Sequence, residues 1–244
     1  MKLTILGCGD AFGSGGRNNS GYLVEAGGRM FLLDCGPTTL LALKRAGFDP
    51  ARIDAVFLSH LHGDHAAGLP FFFTDYLHEH PRARPLHIAG PAGTEERVRG
   101  MFRWMFGERA EPRDPPPTEF HELAPGREET IAGIRVAPFR VPHQARDVSL
   151  GMSVSCGGKT LLFSGDSAWT EEFVARSRGA DLFLCECCFY DRDSAVHMNY
   201  RKLRENLPRL GAKKILLTHL GEEMLARQAE IDLPLAEDGM VVEI

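Results

Sequence analysis

Ser59-His60-Leu61-His62-Gly63-Asp64-His65 packs three imidazoles and a carboxylate into six residues, directly after the apolar run Ala55-Val56-Phe57-Leu58. Imidazole nitrogen and carboxylate oxygen are the donors that borderline divalent metals prefer. An apolar run of this length reads as a fully buried strand, so the donors fall at its C-terminal end. His60 and His62 stand two apart and point the same way from an extended backbone. Gly63 lets the chain turn, so that Asp64 and His65 address a second position. The spacing therefore leaves room for two separate ions.

Three further candidates repeat the placement. His143 follows the apolar run 136–141, Asp166 follows 161–165 and His219 follows 215–218. Functional groups of open sheet folds gather in the crevice beyond strand ends, so one edge of the fold is expected to collect all these side chains. Strands are predicted over 2–6, 21–26, 29–34, 55–59, 86–89, 119–123, 129–131, 134–138, 150–155, 160–164, 181–189, 214–218 and 239–244. Helices are predicted over 38–46, 69–80, 94–106, 171–178 and 199–210, with a proline-rich loop over 113–117 and a Gly157-Gly158 hairpin turn. Two halves that each run from sheet to helix imply an α/β fold, a four-layer αββα sandwich, in one domain over 1–244. The aromatic and Met run 101–106 reads as core at helical spacing. His78, His80, His87 and His121 fall on predicted helices and strands with no ligand partner nearby, and read as exposed or structural.

The 244 residues are 43% hydrophobic and 25% charged, the composition of an ordinary globular chain, with a formal charge of −5 that argues against a globally basic nucleic-acid surface. Absence of an apolar stretch of about 18 residues, and of a signal-peptide pattern at the start, points away from membranes and toward the cytoplasm. The six cysteines are then expected to be reduced. Cys185, Cys187 and Cys188 read as small hydrophobes within the 181–189 strand.

The unbroken H-x-H-x-D-H at His60 to His65 resembles the signature of the metallo-β-lactamase superfamily, and His143, Asp166 and His219 continue the pattern along almost the whole chain. By that resemblance His60, His62 and His143 would hold one divalent transition metal, and Asp64, His65 and His219 the other, with Asp166 bridging; zinc is the first choice and manganese the second. Asp34, in Leu32-Leu33-Asp34-Cys35-Gly36, matches the first-motif Asp, which orients ligands without binding metal. Glu186 is assigned the same task.

Gly7-Cys8-Gly9-Asp10, Arg17-Asn18-Asn19-Ser20 and Asp34-Cys35-Gly36-Pro37-Thr38-Thr39 are similar to the ribonuclease Z and phosphodiesterase branch. Members of that branch carry a His in an H-x-S-T motif that protonates the leaving oxygen. Here the segment reads His197-Met198-Asn199-Tyr200, which keeps the acid but loses the Ser-Thr pair that supports it. The long arm that ribonuclease Z inserts between the motifs at His143 and Asp166 is replaced by a hairpin. The resemblance then implies a phosphodiesterase for a small or cyclic phosphodiester, similar to the compact phosphodiesterase of the carbon-phosphorus lyase pathway, with Asp64 orienting the nucleophile and His197 as the acid. An RNA substrate processed without the arm, and a thioesterase or lactonase, are the alternatives. A binding protein that has lost its ligands fits the complete ligand set worst. Homodimers are frequent among similar proteins.

Overall fold

The computed structural model describes residues 1–107 and 117–244. The proline-rich loop expected over 113–117 lies, but for Pro117, outside the described residues.

The N-terminal half begins with an antiparallel meander, β1 (Lys2–Gly7), β2 (Gly21–Ala26) and β3 (Arg29–Cys35). After α1 (Thr39–Arg45) the chain adds β4 (Ala55–Phe57), the short α2 (Gly63–Ala66), α3 (Leu69–His78), β5 (Leu86–Gly90), α4 (Thr94–Phe106) and β6 (Thr118–Glu122). The strands β3 to β6 are parallel neighbours. The C-terminal half supplies β7 (Glu129–Ile131), β8 (Ile134–Arg140), β9 (Leu150–Cys156) and β10 (Lys159–Phe163), all antiparallel. It continues with α5 (Glu172–Ser177), β11 (Leu182–Glu186), α6 (Tyr200–Asn206), β12 (Ile215–Thr218) and α7 (Glu222–Ala226), with β10, β11 and β12 parallel. The last strand, β13 (Val241–Glu243), returns to pair with β1. Two mixed sheets result, in the orders β13-β1-β2-β3-β4-β5-β6 and β12-β11-β10-β9-β8-β7.

Alternation along the strands builds three apolar layers. Leu3, Val24, Phe31, Leu33 and Phe57 face Val136, Met152, Val154, Leu161 and Phe163 between the sheets. Leu32, Val56 and Ile88 point the other way, onto Leu43, Leu69, Phe72 and Val98 of the first helical layer. Leu162, Phe183 and Leu217 meet Phe173, Leu203 and Met224 of the second. The expected αββα order is the observed one.

Two strands, β4 and β11, stop two or more residues earlier than expected, for the same physical reason. In β4 the ladder ends because the Asp34 carboxylate, rather than a backbone carbonyl, takes the Ser59 N–H at 2.7 Å. After Glu186 the carboxylate of that residue takes the Cys188 N–H at 3.1 Å and turns the chain out of β11. Cys185 and Cys187 are fully buried as expected, but Cys188 thereby reaches the edge of a cleft. The run 101–106 is core only in part: Phe102 is buried, whereas Trp104, Met105 and Phe106 are exposed. Met101, Trp104 and Met105 line a cavity of about 780 Å³ together with Leu61, Arg97 and Arg146.

Candidate metal centre

The expected side chains converge where the C-terminal ends of β3, β4, β10 and β12 meet. His60 and His62 leave the end of β4 and bring His60 Nε2 within 3.0 Å of His62 Nδ1. His143 closes the triad, its Nε2 3.2 Å from the same His62 atom. Four donors at about 2.0–2.1 Å from a tetrahedral ion lie about 3.3–3.4 Å from one another, so these separations suit a shared ion.

The second group is built by α2, whose four residues are too short for any periodic signal in the sequence. His62 caps it, with its carbonyl accepting from the His65 and Ala66 N–H groups. His65 Nε2 then lies 3.1 Å from Asp64 Oδ2 and 3.2 Å from Asp166 Oδ1. His219 Nε2 lies 3.5 Å from Asp64 Oδ2 and 3.3 Å from Asp166 Oδ2. The same Oδ2 is 4.0 Å from His60 Nε2 and 3.9 Å from His143 Nε2, so Asp166 stands between the two groups. Close approach of α2 to β3 needs Gly36, where a Cβ would meet the Asp64 carbonyl oxygen at 2.3 Å.

Hydrogen bonds to the outer nitrogens fix which nitrogens face the centre. His65 Nδ1–H donates to Asp34 Oδ2 at 2.7 Å, and His143 Nδ1–H donates to the Val196 carbonyl at 2.9 Å. Ser59 Oγ donates to Asp34 Oδ2 at 2.8 Å and so accepts from His60 Nδ1–H at 3.0 Å. Asp34 thus holds His65 directly and His60 through Ser59, a relay that Ser59's place beside His60 hints at but does not establish. His65 Nε2 is the nitrogen turned inward: it is buried, has no hydrogen-bond partner and faces the carboxylates of Asp64 and Asp166. A cation is what this arrangement of acceptors fits.

Electrostatics point the same way. Burial, reinforced by His65 and His143, holds His60 well below the usual imidazole range, leaving it neutral as a ligand requires. Burial opposes charge on His65 and His219, yet Asp166 with Asp34 raises the first and Asp166 with Asp64 raises the second well above that range. Asp166 is buried but is held ionised by His219 and His65. The centre is a well of negative potential lined by nitrogen donors.

Glu186 is placed differently from expectation. Rather than fixing a ligand imidazole, its Oε1 accepts from His197 Nδ1 at 2.6 Å and from the Ser167 N–H at 3.0 Å. His197 is thus held by a carboxylate rather than by a Ser-Thr pair. Against the effect of burial, Glu186 and then Asp166 raise His197 above the usual range. The His197 ring stacks on His219 at 5.6 Å and borders a cleft of about 550 Å³ with Phe12, Phe189 and Arg192. Arg192 lies 3.9 Å above the Phe189 ring, and neither residue carries a motif that sequence reading could have found.

Backbone strain and a cross-sheet bond mark the same edge. Asp34 and His219 both take a left-handed φ of 54° at strand ends. The Leu150 N–H of one sheet donates to the Ser59 carbonyl of the other at 2.9 Å. Elsewhere, His80 is engaged by Asp75 at 2.9 Å and His78 is exposed, as expected. His87 and His121 depart from expectation: they lie 3.1 Å apart on neighbouring strands, beside Glu119.

Two mixed sheets between helical layers, with this His and Asp cluster along one edge, define a hydrolase of the metallo-β-lactamase fold. The family model described as anti-Pycsar protein Apyc1 matches residues 1–239, and the chain belongs to that family. It is similar to a ribonuclease Z of Mycolicibacterium gilvum, 32% identical over 247 residues that cover 90% of this chain and 84% of the relative. The crystal structure of the metallo-β-lactamase fold protein YhfI from Bacillus subtilis superposes with a TM-score of 0.79 at 28% identity, over 99% of each chain. Human tRNase Z, short form, gives 0.80 at 26% identity, covering 100% of this chain and 99% of that one.

Proposed function

We propose that this chain, as a single hydrolase domain over residues 1–244, is a dinuclear metal-dependent phosphodiesterase for a small or cyclic phosphodiester. His60, His62 and His143 would hold one divalent ion and Asp64, His65 and His219 the other, with Asp166 shared; zinc suits the five imidazoles best. When bound, such a pair lowers the pKa of water and neutralises phosphate oxygens. The observation that carries the reading is His197 held by Glu186 beside Asp166. Because Nδ1 is tied to the carboxylate, Nε2 is the nitrogen that keeps a transferable proton for a departing alkoxide. Asp64 orients the attacking oxygen. Arg192, at the rim, adds a cation for the anionic substrate within a chain of net charge −5.

Diester chemistry is supported by the ribonuclease Z relative, and a small substrate by the segment between His143 and Asp166. That segment holds β9 and β10 joined through Gly157-Gly158, a hairpin rather than an arm. Six free, buried thiols suit a reducing cytoplasm. The test is a panel of cyclic and linear phosphodiesters, a thioester, a lactone and a tRNA precursor, assayed with metal-replete protein. Turnover of the small diesters is expected to exceed that of the others. Ready cleavage of the thioester or lactone with every diester untouched would overturn the reading.

A further inference from the structure

His87 is the second residue of β5 and pairs with Ala55, the first residue of β4, whereas the catalytic histidines follow the other end of β4. It therefore lies toward the opposite strand end from the cleft. Across to β6, His87 pairs with Glu119, and His121 stands two residues further along, so all three side chains rise from one face of the sheet. That face is the inter-sheet one, since Ala89 next in phase joins the core between the sheets while Leu86 and Ile88 pack against the helices. At β6, the last strand of its sheet, the face is only half covered, and these polar side chains reach water.

Their donor atoms are arranged as a ligand set. His87 Nδ1 lies 3.1 Å from His121 Nε2 and 3.3 Å from Glu119 Oε2, and all three donors fall within 4.8 Å of one another. The edge of a tetrahedron around a zinc-sized ion is about 3.3–3.4 Å, given ligand distances of about 2.0–2.1 Å. Two imidazoles and one carboxylate are a zinc donor set, and partial exposure leaves the remaining position to water. Glu129 of β7 adds negative potential nearby.

We propose that His87, Glu119 and His121 form a further zinc-type site, separate from the catalytic centre, that ties the edge strand β6 to β5. The residues joined are 34 apart in sequence, and an ion that binds only the folded arrangement stabilises it by mass action. The bland alternative is a hydrogen bond between two neutral imidazoles with Glu119 as an exposed partner.

The experiment uses the full chain, stripped and reloaded with zinc alone, passed over a desalting column and analysed for metal. The parent is expected to hold one equivalent more than His121→Ala, and Glu119→Gln to bind that equivalent about tenfold or more weakly in a chelator competition. Added zinc should raise the melting temperature of the parent further than that of either variant. Because the readout is a difference between parent and variant, it stands whether the catalytic centre holds one ion or two. Should His121→Ala fail to fold by circular dichroism, Glu119→Gln, altered at a half-exposed side chain, decides alone. Equal zinc content and equal competition curves in the parent and Glu119→Gln would overturn the proposal.

Discussion

The cleft and the edge of β6 assemble the same chemical groups by different means. In the cleft, His60, His65 and Asp166 are at most 3% exposed, and carboxylate, hydroxyl and carbonyl groups pin the outer nitrogens of His60, His65 and His143. Donors there come from turns and from the short α2, all beyond strand ends. At the β6 edge the donors come from within strands, and His87 and Glu119 keep 22% and 54% of their side-chain surface exposed. Pinned, buried donors are held in place before a ligand arrives, whereas exposed donors must be ordered by it. The difference suggests a reactive centre in one place and a fastener in the other.

Removing the shared carboxylate should divide the two regions most sharply. Asp166→Ala is expected to lose at least one metal equivalent from the cleft, and to lower diester hydrolysis by more than the about 10²- to 10⁴-fold that proton transfer alone supplies. Metal analysis showing a parent-like content would break the assignment of Asp166 as bridge.

His197→Ala is next in size. It should keep full metal content yet lose about 10²- to 10⁴-fold in rate on a diester with an alkoxide leaving group, and much less with nitrophenolate, which departs without a proton. Equal losses on both esters would move His197 from proton donor to phosphate binding.

Asp34→Asn tests the pinning itself. With Ser59 and His65 deprived of the carboxylate, zinc affinity in the cleft should fall about 10- to 100-fold, read by chelator competition. An unchanged affinity would mean that burial alone organises the centre.

The smallest effect is expected at the edge. Glu119→Gln should leave diester turnover within about twofold of the parent, as a surface change remote from the reacting atoms does. A turnover loss of about tenfold or more would join the two regions into one functional unit.

Local order in the chain decides which of these groups the sequence discloses. His60 to His65 are contiguous, so their proximity needed no tertiary knowledge, and His143, Asp166 and His219 each follow an apolar strand whose end could be located. His87, Glu119 and His121 are brought together only by the β5–β6 register, which no local pattern encodes. The sequence marks Glu186 as a supporting residue, but its partner His197 depends on where the chain turns after β11. The four-residue α2 is too short to show a full period, and β4 and β11 end early because a side chain takes the place of a ladder bond. Trp104 has the composition of core, but the turn of α4 on which it sits faces outward.

The Leu150 N–H to Ser59 carbonyl bond joins the two sheets at the cleft, and Ser59 is also the hydroxyl that links Asp34 to His60. The seam between the halves and the preorganisation of the ligands therefore share one residue. Any opening of the sandwich at this edge has to release the Leu150 amide while it disturbs the Asp34 relay. That single amide proton is a spectroscopic reporter of cleft integrity: its exchange with solvent should slow when zinc fills the centre, because ions held by residues of both sheets resist the same separation.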